Sequence, residues 1–167
     1  VPLVDLTHPL EDGMQTYPGD PAVSVSPAAT MADDGARVTS LSLGTHTGTH
    51  VDAPAHTEPD GETLGGFSLA DFRFEAHLVD ATGLEDREAI GPDLLPERVV
   101  AGAADLDCLV FHTGWDAHWG TDRYHDHPHL APETAEWCAE RGLAVGLDTF
   151  GPDPTPSASG DAGTGGE

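Results

Sequence analysis

The most constraining stretch is residues 41–56, L-S-L-G-T-H-T-G-T-H-V-D-A-P-A-H, which sets His46, His50, Asp52 and His56 close together along the chain. Imidazole nitrogens and carboxylates are ready ligands for Zn²⁺, Mn²⁺ or Fe²⁺. Neither kind of regular structure brings the first three to one point. On a helix His46 and His50 share a face, but Asp52 then lies roughly 200° round the axis from His50. On a strand His50 and Asp52 share a face, and His46 stands about 13 Å from His50. That is too far for one ion with bonds of about 2 Å. The spacing therefore predicts a tight turn at Thr47-Gly48-Thr49 with extended chain from His50 onward. Gly48 permits the turn because it lacks a Cβ, and Pro54 biases Ala53 towards extended backbone. His46, His50 and Asp52 become the candidate metal ligands. His56, past the proline, is placed to face water at the metal without ligating, as a general base. Scattered loop histidines are the plainer reading. Three histidines and a carboxylate threaded among glycines and threonines weigh against it.

Charge narrows the setting. The chain carries 30 Asp and Glu against 6 Lys and Arg, a formal net charge of −24, and it contains no lysine. Such a surface repels nucleic-acid phosphates and anionic membranes, so neither is an expected partner. The acids are spread among apolar runs rather than blocked, which argues against an acidic tail and for a salt-tolerant, halophilic protein. No stretch approaches the roughly 20 apolar residues that cross a bilayer, and the start reads as no signal peptide. Cys108 and Cys138 have neither zinc-ribbon nor redox spacing and read as buried thiols of a cytoplasmic protein.

At 167 residues the chain is large enough for one cored domain, expected over residues 1–150. Residues 3–6, 22–26, 38–43 and 74–80 suit strands, and residues 38–43 lead by alternation into the histidine loop. Residues 69–72 and 93–96 suit short helical turns. Residues 106–112 and 143–147 read as buried strands. Residues 132–141 read as the main helix, with Pro132 in its first turn and Gly142 ending it. Strands alternating with helix predict an α/β domain. Residues 151–167 hold no large apolar side chain and are expected to form a flexible loop or tail.

Other residues leave two readings open. Trp115, Trp119 and Tyr17 are either an aromatic wall for a planar substrate or core packing. Thr113, delivered with Trp115 at a strand end, is grouped with them as a substrate contact. Asp148 either supports the site as an outer hydrogen-bond acceptor or is a strand-end turn residue. His125, His127 and His129 would share a face in extended chain, giving an adventitious metal site or a solvated loop. His112 and His118 flank the tryptophans, as substrate contacts or structural groups. No Gly-x-Ser-x-Gly elbow is present, so a serine-hydrolase mechanism has no foothold.

The run H-T-G-T-H-V-D-A-P-A-H resembles the H-x-G-T-H-x-D-x-P-x-H signature of the metal-dependent cyclase family, which includes bacterial kynurenine formamidases and isatin hydrolases. Val4-Asp5-Leu6-Thr7-His8-Pro9-Leu10, Tyr17-Pro18-Gly19-Asp20-Pro21, Phe111-His112-Thr113-Gly114-Trp115 and Gly146-Leu147-Asp148-Thr149 with Asp153-Pro154 resemble further family segments in order. The resemblance implies a swivelling β/β/α domain with a mixed sheet. It also implies a homodimer or higher homo-oligomer that uses Zn²⁺ or Mn²⁺ to hydrolyse a small amide. N-formylkynurenine is the first expected substrate, with cyclic amides of the isatin type as the alternative. A non-catalytic metal-binding module and a structural subunit are the rivals from other classes. The family's further histidine and glutamate ligands have no counterpart after Asp153-Pro154, and the chain is expected to lack the family's C-terminal strands.

Overall fold

A computed structural model describes residues 2–102 and 106–156. The chain divides into two compact units, Val1–Ser68 and Leu69–Glu167, where the sequence reads as one domain.

The first unit is a hairpin followed by loops. Strand β1 (Ser24–Ala29) pairs antiparallel with β2 (Val38–Ser42), and the register slips between Pro27 and Ala29. Proline offers no N–H to a ladder, so a bulge is where a strand tolerates it. The connecting turn is tied by Thr30, whose N–H donates to Asp34 Oδ2 at 2.8 Å and whose hydroxyl meets Asp33 Oδ2 at 3.0 Å. Two 3-10 turns follow, Pro54–His56 and Leu64–Gly66. Residues 3–6 form no strand. Strand β2 forms where the alternation places it, and all five of its residues are exposed. Among the described residues of this unit only Val23 and Thr47 are buried.

The second unit holds the core. Strands β3 (Ala76–Asp80), β5 (Cys108–His112) and β7 (Ala144–Leu147) form a parallel sheet in the order β3-β5-β7. A parallel pair, β4 (Ala89–Ile90) with β6 (His129–Leu130), is too short to leave a sequence pattern. Helix α1 (Glu97–Val100) precedes β5, and α2 (Pro132–Glu140) precedes β7. Val79, Ile90, Leu109 and Phe111 are fully enclosed, joined by Leu95, Val99, Leu130 and Cys138. Each such aliphatic or aromatic side chain contributes about 1.5–3 kcal/mol by leaving water. The 3-10 turn Leu69–Phe72 and the helix at 132–140 lie where the sequence places them. Parallel and antiparallel pairs in one chain make this a mixed α/β protein. The carboxyl ends of the parallel strands bring Asp80, His112 and Asp148 to one edge, the side where open α/β sheets bind ligands.

Residues 151–156 belong to the packed chain. Leu130 N–H donates to the Pro152 carbonyl at 2.8 Å, and Thr155 is buried. The remainder of the expected tail, residues 157–167, lies outside the described residues.

Candidate metal centre

The loop after β2 folds as its spacing demands. Gly48 adopts φ +64, the left-handed region that suits glycine, and a Cβ there would also stand 3.3 Å from Met14 Cε. The turn brings His46 Nδ1 to 2.7 Å from Asp52 Oδ1 and 3.3 Å from His50 Nε2, with His50 Nε2 also 3.3 Å from Asp52 Oδ1. Donors around a tetrahedral ion with bonds of about 2.1 Å stand about 3.4 Å apart. Two of the three separations match that edge; the third is a hydrogen bond that would open slightly. His50 Nδ1 lies 2.8 Å from the Gly48 carbonyl. A carbonyl only accepts, so Nδ1 carries the proton and Nε2 keeps its lone pair facing His46 and Asp52. The side chains of His46, His50 and Asp52 keep 31%, 24% and 46% of their surface exposed, leaving the open side a reactive ion needs. The donor set fits a divalent cation.

His56 stands beside this trio, not in it. Its ring lies 3.9 Å from that of His46, centroid to centroid, at 37°. It ends the 3-10 turn Pro54–His56, whose N-terminal neighbour Ala53 is extended, as expected before a proline. Further along, Thr49 Oγ1 accepts the His8 N–H at 3.0 Å, tying the early chain to the loop. Tyr17 is half-buried in this unit.

Thr113, Trp115 and Asp148 lie in the second unit. The Asp148 carboxylate accepts Thr113 N–H at 3.0 Å, the Thr113 hydroxyl at 2.6 Å and Gly114 N–H at 2.7 Å. It thereby clamps the turn after β5, where Gly114 takes φ +76. Thr113 and Trp115 are both buried. The Trp115 indole N–H donates to the Arg123 carbonyl at 3.2 Å, and the Arg123 guanidinium lies 5.0 Å from its ring. Trp119, Tyr124 and Phe150 form an aromatic cluster, with Trp119–Tyr124 and Tyr124–Phe150 centroids 5.0 and 4.7 Å apart. Burial, with Asp148 and Asp116 nearby, pushes the Tyr124 phenol well above its ordinary value.

Among the described residues a second group offers clustered donor atoms: His112, Asp116 and Asp148, all within 4.8 Å. Asp116 was not singled out from the sequence; the signal that points to it is the carboxyl edge of a parallel sheet. The histidines at 125–129 form neither a metal site nor a solvated loop. His127 is buried, with Nδ1 2.7 Å from the Pro128 carbonyl and Nε2 2.7 Å from Thr155 Oγ1, so both ring nitrogens are engaged.

A mixed α/β fold carrying two histidines and a carboxylate on a glycine-hinged loop defines a class of α/β proteins with a loop that could hold a metal ion. Residues 4–154 match the Cyclase family, described as "Putative cyclase". The chain belongs to that family. It is 32% identical to the kynurenine formamidase of Paracidovorax citrulli (strain AAC00-1), over 96% of this chain and 74% of that one. It is 30% identical to the kynurenine formamidase of Bordetella pertussis (strain Tohama I), over 96% and 75%. Isatin hydrolase A from Ralstonia solanacearum shares the fold, with TM-score 0.75 and 23% identity over 91% of this chain and 68% of that one.

Proposed function

We propose that this chain is a metal-dependent amidohydrolase acting on a non-peptide C–N bond, of the kynurenine formamidase type, converting N-formylkynurenine to kynurenine and formate. The observation that carries the reading is the convergence of His46 Nδ1, His50 Nε2 and Asp52 Oδ1 within 3.3 Å, with the His50 lone pair aimed inward by the Gly48 carbonyl. Similarity to two formamidases over most of the chain supports the choice of substrate.

His46, His50 and Asp52 would hold a divalent cation, Zn²⁺ or Mn²⁺. When bound, such an ion polarises a carbonyl and lowers the pKa of a coordinated water to about 7. His56 receives the proton of the attacking water on a ring nitrogen as the water oxygen bonds to the formyl carbon. It returns that proton to the aryl nitrogen as the C–N bond breaks, releasing formate and the free amine. Tyr17 is proposed as a substrate contact. For Thr113 and Trp115 the buried environment favours shaping the turn over touching the substrate through the hydroxyl or indole N–H. Asp148 is proposed to act through its clamp on that turn.

Replacing His50 with Ala removes metal and turnover together, measured as bound metal per chain and formamide hydrolysis; retained metal would sink the assignment. His56→Ala keeps the metal and loses turnover. An amide and lactam panel run on wild-type protein separates formamide hydrolysis from hydrolysis of isatin-type rings.

Cytoplasmic location is proposed from Cys108 and Cys138, both free and buried, which suit a reducing compartment. Among the described residues no helix is long and apolar enough to cross a membrane. A homo-oligomer is proposed from the first unit, where Leu3, Leu6, Val38 and Leu41 are exposed and little is buried.

A further inference from the structure

Gly61 packs its backbone against the turn that carries His56. A Cβ built on Gly61 would lie 2.5 Å from the Pro54 carbonyl carbon and 2.6 Å from both Ala55 N and Pro54 O. All three are backbone atoms and cannot rotate aside. The surrounding chain is closed by its own hydrogen bonds: His56 N–H to Ala53 O at 2.9 Å, Glu58 N–H to Pro54 O at 2.9 Å, Gly61 N–H to Glu58 O at 2.9 Å and Ala55 N–H to Glu62 O at 3.2 Å. Carbon atoms in ordinary contact sit about 3.5–4.0 Å apart. Any side chain at 61 therefore drives the Pro54–Ala55 peptide outward by about 1 Å, and His56, the next residue, moves with it. His46, His50 and Asp52 precede Pro54 and lie outside the closed segment.

We infer that Gly61 is a positioning residue for His56: the missing side chain sets where the imidazole rests beside His46. This rests on the role of His56 in the function proposed above. Gly65 supplies the comparison, since a Cβ there meets only Thr63 Oγ1, at 3.9 Å.

The test uses the full chain loaded with Zn²⁺ and compares wild type, Gly61→Ala, Gly65→Ala, His56→Ala and the double variant His56→Ala/Gly61→Ala. The His56 imidazole resonance is assigned by its loss in His56→Ala. Three quantities are read: Zn²⁺ per chain, the position of that resonance, and kcat. In Gly61→Ala the resonance moves, Zn²⁺ stoichiometry holds, and kcat falls by about 10²-fold, the scale of a 1 Å misplacement. Gly65→Ala matches wild type in all three. The double variant is no slower than His56→Ala, because the two changes act through one group. An unmoved resonance, a double variant slower than His56→Ala, or a Gly61→Ala chain that fails to fold or loses Zn²⁺ would each overturn the inference. Should His56→Ala keep full turnover, the general-base reading fails, while the resonance still reports whether Gly61 places the ring.

Discussion

His127 shows how one side chain carries both packing and pH dependence. Its ring is enclosed and bonded at both nitrogens, to Pro128 O and Thr155 Oγ1. Burial above all, with His129, Arg87 and His125 adding positive charge nearby, holds its pKa below the ordinary histidine value. The folded protein therefore disfavours the proton that the unfolded chain accepts at about pH 6.5. The stability His127 confers is complete above that pH and is lost as the pH falls from there towards its folded value. Urea unfolding between about pH 8 and about pH 5 shows wild type losing more stability than His127→Gln. Equal losses would assign the slope to other groups. Nothing in H-D-H-P-H reveals this. The pairing depends on Thr155, well along the chain, and local spacing carries no trace of so distant a partner. The convergence of His46, His50 and Asp52 was legible because the three lie within one loop, where geometry follows from spacing and from Gly48. Asp116 was hidden because its neighbours, His112 and Asp148, meet only once β5 and β7 are paired.

Among the elements, β5, β7 and α2 were readable because continuous apolar runs and the Pro132–Gly142 punctuation act locally. Strands β4 and β6 were not, since two residues make no period. Alternation in β2 signalled a strand correctly but not its burial, because period two says nothing of what covers a face. The turn after β5 depends on Asp148, whose carboxylate takes backbone N–H groups of Thr113 and Gly114 together with the Thr113 hydroxyl. Asp148→Asn turns an amide donor towards one of these donors. It lowers unfolding free energy by about 1–3 kcal/mol, checked by urea titration at neutral pH. A change below a few tenths would show the clamp to be dispensable.

For the whole molecule, charge dominates. Six arginines face 30 acids, and among the described residues the arginine pairs Arg87–Asp126, Arg123–Asp86 and Arg141–Glu140 neutralise few of them. Self-repulsion then opposes the compact state, and salt relieves it. The thermal midpoint rises steadily from low salt to about 1 M, where the Debye length falls to about 3 Å. A midpoint indifferent to salt would remove the halophilic reading. Light scattering at high salt tests the proposed oligomer; a monomer at working concentration would refute it.

The partner that orients His50 is a peptide oxygen, that of Gly48. Side chains can be exchanged one at a time, but a peptide oxygen is present whatever amino acid occupies the position. Mutation can reach this contact only by bending the main chain. Drift in the neighbouring side chains therefore leaves the imidazole proton where it is, and any change in which ion the proposed site prefers would have to proceed through His46 and Asp52.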